Sequence, residues 1–101
     1  MRFEFTAAAE LELDEAVEYY NQQRAGLGEE FVAEVRHAIE QVLEYPHAWQ
    51  LLDERDGIRR YRLNRFPYGL VYTIQGDIAL ALAVMYVRRK PAYWRGHLKG
   101  Q

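Results

Sequence analysis

Hydrophobic positions in the first half of the chain recur at helical spacing. A first amphipathic stretch runs from Ala7 to about Arg24, and a second runs from Phe31 until Pro46 stops it. The apolar residues that set these two periods are Leu13, Ala16, Val17 and Tyr20 in the first and Phe31, Val35, Ala38, Ile39 and Val42 in the second. The segment Ala25-Gly26-Leu27-Gly28 separates them, so the pattern predicts an αα-hairpin.

In the remainder of the chain, hydrophobic positions alternate with a period of two residues. Residues 2–6 predict a short strand with Phe3 and Phe5 on one face, and Thr6 at its end is expected to cap the following helix. From Trp49 onward, the turn signals Asp56-Gly57, Asn64-Arg65-Phe66-Pro67 and Gln75-Gly76-Asp77 separate further runs. These runs predict a meander of antiparallel strands.

The strand alternation also predicts which faces are buried. In residues 68–74, Tyr68, Leu70, Tyr72 and Ile74 share one face, opposite Gly69, Val71 and Thr73. In residues 78–86, Ile78, Leu80, Leu82 and Val84 oppose Ala79, Ala81, Ala83 and Met85. We expect the bulkier faces to pack on the helices and the other face to be a shallow floor of small residues. If Tyr61 and Leu63 join the core, Arg60 and Arg62 lie beside that floor.

Together these elements predict one α+β domain spanning residues 1–101. Its N-terminal αα-hairpin packs on one face of a small, mainly antiparallel twisted β-sheet, and the arginine-rich face stays open. A chain of this length can bury one core without disulfides or metal.

Composition excludes several classes of chemistry. The chain has no cysteine, and its three histidines are too scattered for metal ligation. We therefore expect neither a metal nor a cofactor. No apolar run resembles a signal peptide or a membrane span, so a cytoplasmic protein without membrane contact is expected.

Charge is divided between the two halves of the chain. Residues 1–54 contain thirteen acidic and three basic side chains, whereas residues 55–101 contain ten basic and two acidic ones. The net charge of −2 hides this asymmetry, which points to recognition of a polyanion or an acidic partner by the basic half. The helical carboxylates are expected to form a solvated face without chemistry.

The basic half concentrates its cations in two short segments. They are Arg59-Arg60-Tyr61-Arg62 with Arg65, and Tyr86-Val87-Arg88-Arg89-Lys90, followed by Tyr93, Trp94 and Arg95. Such a set can bind phosphates and stack bases, although arginines also protect an exposed sheet edge. Cleavage of RNA would need a proton acceptor as well, and a tyrosine such as Tyr86 or Tyr93 could serve if it is not simply packed.

Several motifs are spread along the chain. They are Glu18-Tyr19-Tyr20, Gly26-Leu27-Gly28 with Phe31, Trp49, Ile58-Arg59-Arg60, Arg65-Phe66-Pro67-Tyr68-Gly69-Leu70-Val71-Tyr72, and Arg88-Arg89-Lys90-Pro91-Ala92-Tyr93-Trp94. Together they resemble the RelE/ParE superfamily of toxins from type II toxin–antitoxin modules, the plasmid stabilisation protein family. The resemblance covers nearly the whole chain. It implies a toxin that arrests growth when it is free of its antitoxin.

Two activities occur in that superfamily. RelE-like members cut messenger RNA in the ribosome, and the resemblance would then make Arg60, Arg62 and Tyr93 catalytic. ParE-like members inhibit DNA gyrase without being enzymes. The ribonucleases carry an arginine where this chain has Gly69, and many relatives carry a histidine where it has Tyr86. Loss of a phosphate-directed cation favours the gyrase inhibitor, with the ribonuclease as the alternative.

The resemblance also implies the partners. A cognate antitoxin is expected to wrap the toxin and to bring carboxylates to its arginines, while operator DNA is contacted only through the antitoxin. The remaining cationic and aromatic residues are predicted to bind the target, either gyrase or the ribosome with its messenger RNA. These target-binding residues are Arg59, Arg65, Tyr86, Arg88, Arg89 and Lys90.

Overall fold

A computed structural model of the chain describes residues 1–88. Two helices and five strands follow in the order β1 (Arg2–Phe5), α1 (Ala7–Gln23), α2 (Leu27–Glu44), β2 (Gln50–Asp53), β3 (Ile58–Arg62), β4 (Tyr68–Gln75) and β5 (Ile78–Tyr86). Both predicted helices and all the predicted strands are therefore confirmed. The helical turn predicted at Pro91, with Tyr93 and Trp94, lies outside the described residues.

The five strands form one sheet in the order β1-β5-β4-β3-β2. The strands from β2 to β5 form an antiparallel meander, whereas β1 lies parallel to β5. Both helices pack on the same face of this sheet. The prediction of an α+β fold with an αα-hairpin on a mainly antiparallel sheet is confirmed. Neither helix in the described part of the chain is long and apolar enough to cross a membrane.

Local sequence explains where the helices begin and how closely they approach. The Thr6 side chain accepts a hydrogen bond of 3.1 Å from the Ala9 amide and caps α1, as predicted. The helix α2 begins at Leu27, so Gly28 is helical rather than part of the predicted loop. A Cβ atom at Gly28 would lie only 2.6 Å from the carbonyl oxygen of Val17 in α1. Glycine at this position therefore lets the two helices come into contact.

The main core lies between the helices and the sheet. At its centre the Phe31 ring lies 5.0 Å from Phe66 and 5.1 Å from Tyr68, both in edge-to-face geometry. Tyr72 is fully buried, and its hydroxyl donates a hydrogen bond of 2.7 Å to the carbonyl oxygen of Pro46. The bulky face predicted for β4 is thus confirmed as a core face.

The prediction for β5 is wrong over most of its length. The ladder passes from Val71 opposite Ala83 to Tyr72 opposite Ala81, which places a β-bulge at Leu82. Because a bulge reverses the alternation, Ala81 faces the helices on one side of it and Val84 does so on the other. The bulk of side chains alone could not reveal this reversal.

The predicted floor of small residues is also wrong. The face of the sheet turned away from the helices carries a second apolar cluster, and its members are buried. They are Ile58, Val71, Leu80, Leu82, Ala83 and Met85, with Leu52 and Ile78 packed against them. This face is consequently not open across its centre, and Arg62 is exposed on it at the end of β3.

Candidate functional site

Arg60 and Arg62 lie on the sheet face turned away from the helices. Tyr61 and Leu63 point the other way and are buried in the main core, as the alternation predicts. Arg60 is half-buried, whereas Arg62 is exposed and lies opposite Gly69 on β4. The structure therefore brings the two predicted guanidinium groups to one face, at one end of β3.

The side chain of Arg60 occupies the space above Gly69. A Cβ atom at Gly69 would come within 2.7 Å of Cδ and 2.8 Å of Cγ of Arg60. Toward the edge strand, Nη2 of Arg60 donates a hydrogen bond of 2.6 Å to Oε1 of Gln50, its cross-strand neighbour on β2. The glycine and the glutamine together fix where this cation lies.

Arg60 retains unused hydrogen-bonding capacity. Its Nε atom is buried and has no hydrogen-bond partner within the part of the chain that the structure describes. Leaving a buried donor unsatisfied costs about 1–3 kcal/mol, and more for a charged group. Buried polar groups without a partner are uncommon in native proteins, so this Nε atom is expected to be satisfied by a group outside the described residues.

Arg59 points to the other side of the sheet. Its Nη1 donates a hydrogen bond of 2.8 Å to the carbonyl oxygen of Trp49, and it lies opposite Tyr72 on β4. Burial raises the pKa of Tyr72 to about 12, although the positive charge of Arg59 acts in the opposite direction. Arg59 thus supports the segment before β2 instead of sharing a surface with Arg60.

Arg65 joins the β3–β4 turn to α2. Its Nη2 lies 2.7 Å from Oε1 of Glu30, and its amide donates to the carboxylate of Glu34 at 2.8 Å. The hydrogen bond from Arg65 lowers the pKa of the Glu30 carboxyl below its ordinary range. The expectation that the helical acids form only a solvated face is therefore wrong for these two residues. Arg65 is held by them at a site separate from Arg60.

Tyr86 also lies apart from Arg60 and Arg62. It is the cross-strand partner of Tyr68, and the two rings are 5.6 Å apart in edge-to-face geometry. Both rings turn toward α1, where they border a groove with Glu12 and Glu15. Tyr86 is therefore separated by the sheet from the arginines that it was expected to accompany.

Arg88 is exposed in the turn after β5, where the Val87 amide donates to the carbonyl oxygen of Pro67 at 2.9 Å. The other predicted residues of this segment are Arg89, Lys90 and Tyr93, and they lie outside the described residues. No group of metal-ligating side chains occurs within residues 1–88.

Sequence reasoning missed several residues that shape these surfaces. Gln50 was not singled out, because nothing in the local sequence showed that it would face Arg60 across an edge strand. Glu12, Ala16 and Tyr19 were missed as a set, although their helical spacing is a signal that they share one side of α1. Helical periodicity could not show that this side of α1 packs against the end of β5, because that contact is part of the tertiary structure.

Comparison with known proteins gives matches of two kinds. The family model described as the ParE toxin of type II toxin–antitoxin systems, parDE, matches residues 3–91. A solved structure described as the chromosomal ParDE TA system from P. aeruginosa superposes with a TM-score of 0.76 at 18% sequence identity. The alignment covers 87% of this chain and 97% of that chain, so the two share a fold. No curated protein matches the chain.

Proposed function

The chain belongs to the ParE toxin family of type II toxin–antitoxin systems, and from this premise we propose that it arrests growth by inhibiting DNA gyrase. The resemblance predicted from its motifs is confirmed by a family match that extends over residues 3–91. An antitoxin is accordingly its partner, as the sequence predicted. The finer question is which target the toxin attacks, and the alternative is cleavage of messenger RNA on the ribosome.

The relationship between Arg60 and Gly69 carries the proposal. In the ribonucleases that the sequence resembles, an arginine stands at the position of Gly69. Here a Cβ atom at that position would come within 2.7 Å of the Arg60 side chain. Any side chain at that position would therefore require Arg60 to move. A preorganised donor at the reacting phosphate is worth about 3 kcal/mol of transition-state stabilisation, so its loss matters more for a ribonuclease than for an inhibitor.

The positions of the candidate proton acceptors also favour gyrase inhibition over cleavage of RNA. Arginine has a pKa above about 12 and does not take a proton from a 2′-hydroxyl group. Tyr86, one of the two tyrosines considered for that role, faces α1 across the sheet from Arg60 and Arg62. Within residues 1–88, two guanidinium groups that Tyr86 does not accompany suit the binding of an acidic protein surface better than the cleavage of RNA.

Induction of the toxin in cells, followed by parallel analysis of plasmid topology and transcript 5′ ends, separates the two targets. Inhibition of gyrase predicts loss of negative supercoiling or gyrase-linked DNA breaks, without cuts in phase with codons. Codon-phased cuts with normal plasmid topology would establish the ribonuclease instead.

The double variant Arg60→Ala/Arg62→Ala tests whether these arginines contact the target, and it is expected to relieve growth arrest. Arg36→Ala is the matched control, because Arg36 is an exposed arginine on α2. Full toxicity of a correctly folded double variant would remove both residues from the target-binding surface.

A further inference from the structure

A groove between α1 and the end of the sheet combines carboxylates with aromatic rings. Its volume is about 230 Å³, whereas a single water molecule needs about 15 Å³ of such space. The lining residues are Glu12, Glu15, Ala16 and Tyr19 from α1, Tyr68 from β4, and Val84 and Tyr86 from β5. The groove is thus large enough for a long side chain.

The aromatic walls are firmly held yet accessible. Tyr68 packs against the core ring of Phe31 and against Tyr86. Tyr19 and Tyr86 keep 54% and 40% of their surfaces exposed. Exposed tyrosine rings on a rigid support are the usual anchors of protein–protein contacts, because they bury much area at little cost in side-chain entropy.

The described residues that line the groove include two carboxylates, Glu12 and Glu15. Oε1 of Glu12 accepts a hydrogen bond of 3.0 Å from the Val84 amide, which fixes its carboxylate beside the end of β5. Glu15 is exposed at the rim. Burial raises the pKa of Tyr68, so its phenol stays neutral at physiological pH and does not add charge. Neither lysine nor arginine occurs among the described residues that line the groove.

We infer that this groove receives an arginine side chain from the antitoxin. Carboxylates bind a guanidinium group through charge-assisted hydrogen bonds, and tyrosine faces attract it through cation–π contacts. The inference rests on the toxin–antitoxin part of the proposed function and adds a second point of recognition. At Arg60 and Arg62 the antitoxin is expected to bring carboxylates, whereas at the groove it brings a cation.

Titration of the full chain with N-acetyl-arginine amide tests the chemistry of the groove, with N-acetyl-citrulline amide as a neutral analogue of the same shape. Saturable NMR shifts of the Val84 amide and of the Tyr68 and Tyr86 rings are expected, with a dissociation constant on the order of 1 mM. The citrulline compound should bind at least about tenfold more weakly. Equal binding of both compounds, or no saturable shift, would overturn the inference.

Two matched substitutions test whether a carboxylate in the groove binds the arginine compound. Glu15→Gln is expected to weaken binding of the arginine compound by about 1.4-fold to fivefold, by analogy with other exposed charge pairs. Asp14→Asn removes the same charge one residue away, at a position that does not line the groove, and should leave binding unchanged. Equal effects of the two variants would mean that general charge, not the groove, attracts the ligand.

The purified complex with the antitoxin encoded beside this chain identifies the occupant. If an antitoxin arginine fills the groove, the complex should no longer bind N-acetyl-arginine amide. Undiminished binding by the complex would show that the antitoxin leaves the groove empty. None of these measurements contains gyrase, so a failure of gyrase inhibition and a failure of the groove inference give separate results.

Discussion

The aliphatic part of Arg60 lies directly over Gly69, so that a Cβ atom on the glycine would approach Cδ of the arginine to 2.7 Å. This contact joins β3 to β4 at the place where the ribonucleases of the superfamily are expected to carry an arginine of their own. A side chain at position 69 would thus have to displace Arg60. The account of this protein as a binder of its target, rather than a nuclease, depends on that arrangement.

Gly69→Ala should destabilise the fold through this contact. Overpacking of this kind costs about 1–3 kcal/mol, and the displaced arginine also loses its hydrogen bond to Gln50. Urea unfolding of Gly69→Ala, measured alone and together with Arg60→Ala, gives a double-mutant cycle. The cost of the alanine should largely vanish when Arg60 is absent. An equal cost in both backgrounds would show that the glycine is needed for another reason.

Gly28→Ala should weaken the contact between the two helices. The added methyl group would lie 2.6 Å from both the Val17 carbonyl oxygen and the Asn21 side chain. Overpacking costs about 1–3 kcal/mol, which outweighs the gain of about 1 kcal/mol in helix propensity. Gly26→Asn is the control, because Gly26 has open space around it and asparagine tolerates its positive φ of 89°. A thermal midpoint unchanged by Gly28→Ala would contradict close helix contact.

Tyr72 should make the protein sensitive to alkali. Burial raises its pKa from 10.0 to about 12. The associated stabilisation is complete below the unfolded value of 10.0 and is lost as the pH rises through the folded value. Tyr72→Phe should cost about 1 kcal/mol at neutral pH, because the Pro46 carbonyl loses its donor, and should reduce the alkaline loss. If the free energy of unfolding decreased equally with rising pH in wild type and variant, ionisation of Tyr72 would not be the cause of the alkaline sensitivity.

Glu30 should contribute to stability only above acidic pH. Its pKa lies below the ordinary value of 4.5 because Arg65 donates a hydrogen bond to the carboxylate. A depressed pKa gives stabilisation that is present above 4.5 and disappears as the pH falls through the folded value. The difference in unfolding midpoint between wild type and Glu30→Gln should therefore shrink on acidification and in high salt. A difference that is constant across pH would exclude the ion pair as its source.

The sequence predicted the elements of this fold better than their packing. Thr6 and the apolar periods of the helices act locally, so a cap and two helices could be read directly. The bulge at Leu82 depends on how β5 meets β4, and it reversed the predicted faces over much of the strand. Local signals therefore decide which elements form, and strand pairing decides where their side chains lie.

The candidate site, like the fold, could be predicted from the sequence only in part. Strict alternation along β3 placed Arg60 and Arg62 together once Tyr61 was assigned to the core. The alternation could not show that Arg65 pairs with Glu30 on α2, because 35 residues separate them in the chain. Grouping cations by sequence proximity consequently joined residues that the fold distributes over different surfaces.

A supercoiling assay with purified gyrase tests the central claim most directly. The wild-type chain and the Arg36→Ala control should inhibit supercoiling of relaxed plasmid, whereas Arg60→Ala/Arg62→Ala should lose most of that inhibition. The antitoxin should restore gyrase activity when it is added to the wild-type reaction. The account would be contradicted if the wild-type chain left gyrase fully active and instead cut messenger RNA on programmed ribosomes.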